Sequence, residues 1–421
     1  MSVITVFSGS YCNETAVIGQ LQEATGYELI ADSEIVTEAG RLSGLPESKI
    51  ARCFSARTSV FDKFGREKKQ AVIFLKSVLT QLLSRDKLLI AGFCGQLIPK
   101  PISHILRVCL IADMKYRIAL AVESDKITEK EAVRLINKKD EDRVAWTLAL
   151  FEKKDPWDGS FYDIVLPMDK IAVSEAVGRI AENAAKAVVQ PTERSQQAVA
   201  DYMVETRVEQ ALFRAGHSVD VATEAGRVTL TINRNVLRFK RLESELCKLV
   251  GQVPGVIDVQ LKIGKKYHKS NIYRRHDFSL PDRVLLVDDE REFAESMSER
   301  LTMQDIGAAV TYDGSAALDL ISEEEPEVML LDLNMPGING FDVLRRVKTD
   351  RPEVEVIIMT AHGSEAERKK CMALGAFAFL QKPVDPEILS ETLRRAKKKI
   401  RWNIARGDKS DHDTGDQSLR S

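Results

Sequence analysis

The apolar run Val328-Met329-Leu330-Leu331 ends on Asp332 and passes at once into Leu333-Asn334-Met335-Pro336-Gly337. Four apolar residues closed by a Pro/Gly loop read as a buried strand. A carboxylate at the end of such a strand stands where open parallel sheets place their chemistry. Two other groups share that placement. Asp288-Asp289 end the run Arg283-Val284-Leu285-Leu286-Val287, and Lys382-Pro383 follow Ala376-Phe377-Ala378-Phe379-Leu380. A lone carboxylate, an acidic pair and a lysine make a pocket suited to a metal and a phosphate, with Asp332 the best acceptor in the chain.

Periodicity around these residues predicts alternating strands and helices. Apolar runs at 284–287, 328–331, 355–359 and 377–380, with a weaker strand at 308–311, alternate with helical patterns such as Phe293-Met297-Leu301, Phe341-Leu344-Val347 and Ile388-Leu389-Leu393. Five strands alternating with five helices read as an α/β fold with a doubly wound, five-stranded parallel sheet.

Residues of about 282–400 resemble the receiver domain of two-component response regulators, whose fold is flavodoxin-like. Asp288 and Asp289 match that family's acidic pair, Asp332 its phosphorylated aspartate, Thr360 its switch hydroxyl, Phe379 its switch aromatic and Lys382 its phosphate-pairing lysine. The resemblance implies a cis peptide bond before Pro383 and a Mg2+ cofactor. Oxygen donors suit that hard cation. Asp289, Asp332 and the backbone carbonyl of Asn334 would bind directly, with Asp288 acting largely through water. The alternative for Asp288 and Asp289 is that they only cap the helix starting near Glu290.

At 421 residues the chain has room for about three domains. A net charge of −2 implies no bulk electrostatic partner such as nucleic acid. No apolar stretch approaches the roughly 20 residues that span a bilayer, and the opening Met1-Ser2-Val3-Ile4-Thr5-Val6-Phe7 lacks a basic leader. Cysteines 12, 53, 94, 109, 247 and 371 form no C-x-x-C pair, which predicts reduced thiols and a cytoplasmic protein without structural zinc. The expected partners are a sensor histidine kinase or phosphotransfer protein, and a second copy through the receiver.

Two polar stretches divide the chain. Gln190 to Gln197 reads as a linker after the Ala-rich helix near Ala184. A second linker from about Gly264 to Pro281 interleaves Lys265, Lys266, Lys269, Arg274 and Arg275 with Tyr267 and Tyr273, and solvation or nucleic acid would each explain it. The tail 407–421 has almost no apolar residue and is expected to be disordered. Between the linkers, residues 198–264 show a helix, a strand pair, a second helix from about Val236 to Val250, and a strand ending at Ile263. With Gly226-Arg227-Val228-Thr229-Leu230 and Val253-Pro254-Gly255-Val256 at those points, the segment resembles the BON domain, a small α+β fold.

The N-terminal segment, about 1–185, opens with a strand, Val3 to Phe7, entering Ser8-Gly9-Ser10-Tyr11-Cys12-Asn13-Glu14-Thr15 and then a helix. That is the placement of a phosphate-binding loop, but the Walker pattern fails: Glu14 stands at the second glycine position and no lysine follows. A phosphate cradle needs bare N–H groups and a cation. Gly26-Tyr27-Glu28-Leu29-Ile30-Ala31-Asp32, Leu89-Ile90-Ala91-Gly92, Tyr116-Arg117, the lid-like Ile127 to Ala132 with Asp140 and Arg143, and Tyr162 to Leu166 resemble the cytidylate kinase-like family, a P-loop-kinase-like α/β fold. Where that family has Gly-Arg-Gly, this chain has Gly92-Phe93-Cys94. Loss of both phosphate-handling elements argues for a degenerate, inactive kinase fold. Arg117 and Arg143 are the residues left that could hold a phosphate, the alternative being solvated surface arginines.

Two functions compete on these grounds. One is a response regulator that takes phosphate on Asp332 and switches contacts of the upstream domains or a partner. The other is a nucleotide kinase controlled by the receiver.

Overall fold

A computed structural model describes residues 2–56, 66–233, 236, 239–264, 267, 277–304, 306–361 and 363–412. The chain divides into two compact units, one holding the N-terminal and middle segments and the other the C-terminal segment.

The first unit begins with a parallel sheet of β1 (Val3–Ser8), β2 (Glu28–Ala31), β3 (Leu88–Ala91), β4 (Ile105–Ile111) and β5 (Ile164–Pro167), in the order β2-β3-β1-β4-β5. Every residue of β1 is buried, as a central strand covered by helices on both faces must be. Side-chain alternation divides the strands between two cores. Val3, Leu88, Ile90 and Ile105 face one, whereas Ile4, Val6, Leu89, Leu106 and Val108 face the other. The chain reverses its winding at β1, so the crevice at its carboxyl end is a topological switch point.

The middle segment contains β6 (Asp220–Glu224), β7 (Arg227–Ile232) and β8 (Asp258–Ile263), with β6 antiparallel and β8 parallel to β7. Val228, Leu230 and Ile232 of β7 pack with Leu242, Leu246 and Val250 of the helix Phe239–Val250. The stretch read as a linker at 190–197 is different in the structure. Thr192 and Ser195 form a capping box that starts the helix Glu193–Arg214, and buried Ser195 also meets His104 Nδ1 at 2.9 Å. Polar residues in a capping box have linker-like composition but satisfy the helix's orphan N–H groups. Tyr202 of this helix enters the N-terminal core and donates to the Leu97 carbonyl at 2.9 Å, whereas Val204, Val208 and Leu212 enter the middle core. One helix therefore serves both cores.

The second unit holds β9 (Arg283–Val287), β10 (Gly307–Thr311), β11 (Val328–Leu331), β12 (Glu355–Thr360) and β13 (Ala378–Gln381), all parallel in the order β10-β9-β11-β12-β13. Alternation again splits the strands: Leu285, Val287, Met329 and Leu331 face one core, and Val284, Leu286, Val328 and Leu330 the other. The five expected strands are all present. The last helix runs Pro386–His412, so the first residues of the expected tail are helical. The rest of that tail and most of the basic linker lie outside the described residues. Among the described residues, no helix is long and apolar enough to cross a membrane.

Candidate functional site

In the second unit, backbone rungs at the strand ends set where each candidate side chain leaves the sheet. The Asp332 amide donates to the Val287 carbonyl at 3.0 Å, the Asp288 amide to Thr311 at 3.1 Å and the Lys382 amide to Thr360 at 2.8 Å. The Lys382–Pro383 peptide is cis. Gly340 completes the platform. Its N–H donates to the Leu333 carbonyl at 3.1 Å, and a Cβ there would lie 2.2 Å from the Asp332 carbonyl oxygen. Only glycine lets the helix Gly340–Asp350 start this close to the Asp332 backbone.

Carboxylate oxygens of Asp288, Asp289 and Asp332 lie within 4.8 Å of one another. Asp288 and Asp332 are buried. At such separations two unit charges repel by about 3 kcal/mol at an effective dielectric of ~20. Lys382 Nζ counters part of this, 2.7 Å from Asp288, 3.0 Å from Glu290 and 3.4 Å from Asp332. Its contact with Asp288 Oδ2 is close but oblique, an ion contact rather than an aligned hydrogen bond. Burial pushes the Asp288 carboxyl up against the opposing pull of Lys382. Burial alone would lower the Lys382 ammonium, but Asp288, Glu290 and Asp332 overcome it and hold the ammonium above its ordinary range.

Two participants escaped the sequence reading. Glu290 is a third anchor of Lys382, and the Phe293 ring lies under the ammonium with its centroid at 4.4 Å. Glu290 looked only like a helix start, and no periodicity separates those roles. The capping alternative accounts for one bond, from the Glu290 N–H to Asp288 Oδ1 at 3.1 Å, and leaves the clustering of three carboxylates unexplained. An all-oxygen cluster of this kind fits a hard divalent cation.

Thr360 is fully buried, and its Oγ1 accepts from the Asn334 side-chain amide at 3.4 Å. Phe379 is half-buried. Its ring lies against Gly363, where a Cβ would come within 2.6 Å of the ring and 3.2 Å of the Thr360 methyl. The structure thus brings Asp288, Asp289, Asp332, Asn334, Thr360, Phe379 and Lys382 to one end of the sheet.

At the switch point of the first unit, the loop after β1 turns through Tyr11 and Asn13, both at left-handed φ, into the helix Glu14–Thr25. Arg117 and Arg143 converge on this loop and are not solvated surface residues. Arg117 Nε donates to the Ser10 carbonyl at 2.8 Å, and its two terminal nitrogens grip Asp140 in a fork, each at 2.8 Å. Arg143 Nε donates to the Ser8 carbonyl at 2.6 Å and the guanidinium lies over Phe7 and Phe93. Sequence reading missed this because its cause is tertiary: the loop's own carbonyls turn inward and need donors. Glu14 meets Ser8 Oγ at 2.5 Å.

A second anion position is filled from within. Asp32 accepts from the Phe93 and Cys94 N–H groups at 2.7 and 2.9 Å. Gly92, at φ +115°, leaves room for it: a Cβ would lie 2.1 Å from the carboxylate. Burial raises the Asp32 carboxyl, with those two N–H groups opposing.

Comparison with known proteins separates the two units in the same way. The response regulator receiver domain family matches residues 284–394, and the cytidylate kinase-like family matches residues 3–170. Transcriptional regulatory protein CpxR of Escherichia coli (strain K12) is 35% identical over 122 residues, 29% of this chain and 52% of that protein. Response regulator MprA of Mycolicibacterium vanbaalenii is 33% identical over 115 residues, 27% of this chain and 50% of that protein. The chain thus spans about half the length of these curated relatives. Among solved structures, the signal receiver domain of a putative Luxo repressor protein from Vibrio parahaemolyticus is 28% identical, covering 30% of this chain and 97% of that one at a TM-score of 0.29. The C-terminal part of this chain is a response regulator receiver domain, and its N-terminal part matches the cytidylate kinase-like family.

Proposed function

We propose that the protein is a two-component response regulator that accepts phosphate on Asp332 from a sensor histidine kinase or phosphotransfer protein in the cytoplasm. The observation that carries this reading is the clustering of three carboxylates with Lys382 at the carboxyl end of the receiver sheet. An aspartate carboxylate is already ionised at neutral pH and needs no general base. An Asp332 Oδ–phosphorus bond forms as the phosphorus–nitrogen bond of the donor phosphohistidine breaks, and the donor nitrogen keeps the electron pair. Lys382 faces the attacked group and stabilises charge on its oxygens. Asp288, Asp289, Asp332 and the Asn334 carbonyl would hold Mg2+, which supplies positive charge against the phosphoryl oxygens.

The phosphoryl group offers new acceptor oxygens. Thr360 leaves Asn334 to donate to one, and Phe379 turns into the space vacated. The altered surface then changes contacts with a partner, a second receiver or the upstream domains. On this reading residues 198–264 are a BON-like binding module, and the N-terminal segment binds without turning over nucleotide.

Acetyl phosphate with magnesium is expected to add one base-labile phosphate, counted by intact mass. Asp332→Asn should remove it, and labelling that persists in Asp332→Asn would sink the assignment.

The second reading, a receiver-regulated nucleotide kinase, is favoured by the family match over residues 3–170. Against it, Arg117 is occupied by Asp140 and Ser10, and Asp32 fills the N–H pair after β3. Full-length protein given ATP, magnesium and CMP should form no diphosphate above a no-enzyme control; turnover that is lost in Arg143→Ala would establish the kinase.

A further inference from the structure

The three-stranded sheet of the middle segment ends on β8, which pairs with β7 on one side and has no strand on its other side among the described residues. An uncovered edge is a template for another strand. The Gly264 N–H donates to the Ile232 carbonyl at 2.9 Å. Counting back by the two-residue period of a strand, the backbone groups of Lys262 and Gln260 also face β7, and those of Leu261 and Val259 face outward. Large apolar side chains flank this edge: Ile257 is 77% exposed and Ile263 is 55% exposed.

The stretch Ile257-Asp258-Val259-Gln260-Leu261-Lys262-Ile263 is complementary to itself when reversed about Gln260. Ile257 then meets Ile263, Asp258 meets Lys262, and Val259 meets Leu261. Val259 and Leu261 both turn their backbone groups outward, so they fall in hydrogen-bonded pairs across the junction. Asp258 and Lys262 fall in the alternate pairs, where side chains approach more closely. Both are exposed, on the face opposite the apolar one. Asp258 accepts from the Gln260 amide at 3.3 Å, and neither Asp258 nor Lys262 forms an ion pair among the described residues. A lysine on an edge strand is ordinarily a guard against pairing. Here an aspartate four residues earlier supplies its partner. Moving the centre of reversal to Val259 or Leu261 sets both charges opposite uncharged residues, so the charges select one register.

We infer that β8 pairs antiparallel with β8 of a second copy of this chain, about a two-fold axis at Gln260 that joins the two sheets into one of six strands. An axis normal to the sheet keeps the helix-covered faces of both copies on one side. Val259 and Leu261 then extend the apolar layer, and the two Asp258–Lys262 pairs stay on the opposite face. The inference goes beyond the phosphorelay reading and does not rest on it, because no phosphate enters the contact.

Sedimentation equilibrium of the full-length protein, without a phosphodonor, is expected to show a concentration-dependent dimer. Asp258→Lys and Lys262→Asp each set like charges opposite one another in both symmetry-related pairs, and each should weaken the dimer about tenfold. The double variant Asp258→Lys/Lys262→Asp exchanges the signs and should restore most of the affinity. Since it carries both substitutions, its recovery excludes misfolding as the cause of the losses. Gln260→Cys brings the two copies' Cβ atoms to about 4.5–5.5 Å and should give a disulfide-linked dimer under copper phenanthroline. The wild-type chain and Ala222→Cys, on the far edge strand β6, should not. A monomer at every concentration overturns the inference. So does a dimer that neither reversal weakens, which the receivers or another surface would then hold, and so does a double variant no tighter than the single ones.

Discussion

Two parallel five-stranded sheets in this chain each direct charged side chains to the carboxyl end of a central strand, and they treat those charges in opposite ways. In the receiver, Asp288, Asp289 and Asp332 are held together with one lysine shared among them and Glu290. Their like charges are incompletely balanced, which on the proposed function leaves the site to be completed by a cation and a phosphoryl group. In the N-terminal unit, Arg117 is paired with Asp140, Arg143 is tied to Ser8, Glu14 to Ser8 Oγ, and Asp32 to two backbone N–H groups. Such a site is stable as it stands. On the proposed function, the contrast is between charges left open to a ligand and charges neutralised within the same kind of architecture.

The largest effect should come from making the receiver less charged. Asp289→Ala is expected to lower phosphorylation from acetyl phosphate by two orders of magnitude or more and to weaken magnesium binding in parallel, since fewer oxygen donors remain. Fluorescence titration with magnesium checks this; unchanged affinity would reduce the acidic pair to a helix cap and erase the contrast.

In the N-terminal unit the same kind of change should act on stability instead. Arg117 has a side chain 7% exposed, and Asp140 is 21% exposed. Arg117→Ala leaves that carboxylate and the Ser10 carbonyl without their donor and should cost about 2–4 kcal/mol in denaturant unfolding of the first unit. A cost within experimental error would mean that the arginine is free for a ligand.

A third test uses pH. Burial and the nearby charge of Glu209 raise Glu205, on the helix shared by both cores, to about 7, with Lys76 and the Thr223 N–H opposing. An unfolded glutamate titrates near ~4.3. Between those values the folded chain holds more protons, so stability of this unit falls as pH rises from about 4.3 to 7 and stays reduced above. Glu205→Gln should therefore stabilise the unit by about 1–3 kcal/mol at pH 8 and have little effect at pH 4. Thermal melts at the two values measure the difference, and equal effects at both would show that the carboxyl is solvated.

The smallest effect should be conformational. Beryllofluoride should shift the amide resonances around Thr360, Phe379 and the helices near 365–374 and 386–400, and Thr360→Ala should abolish most of that shift. Identical spectra with and without the mimic would leave the receiver without a switch.

The receiver was legible in sequence because its signals are local. Buried parallel strands are short apolar runs, and the residues that end them, Asp288, Asp332, Thr360 and Lys382, lie where the run stops. Strand order and the end-on meeting of those residues follow from rules for parallel sheets. Glu290 was not legible as an anchor, because only the fold brings it within 3.0 Å of an ammonium 92 residues away. Nor was the first turn of the helix Glu193–Arg214, expected only from about 198 onward: its polar start has the composition of a linker, and its role depends on buried contacts to His104 and Leu97. For the N-terminal loop, the sequence by itself determined that the lysine and second glycine of a phosphate cradle are missing. Only the tertiary structure decided that Arg117 and Arg143 turn inward, because a buried carbonyl must find a donor and these come from two helices, each more than a hundred residues away.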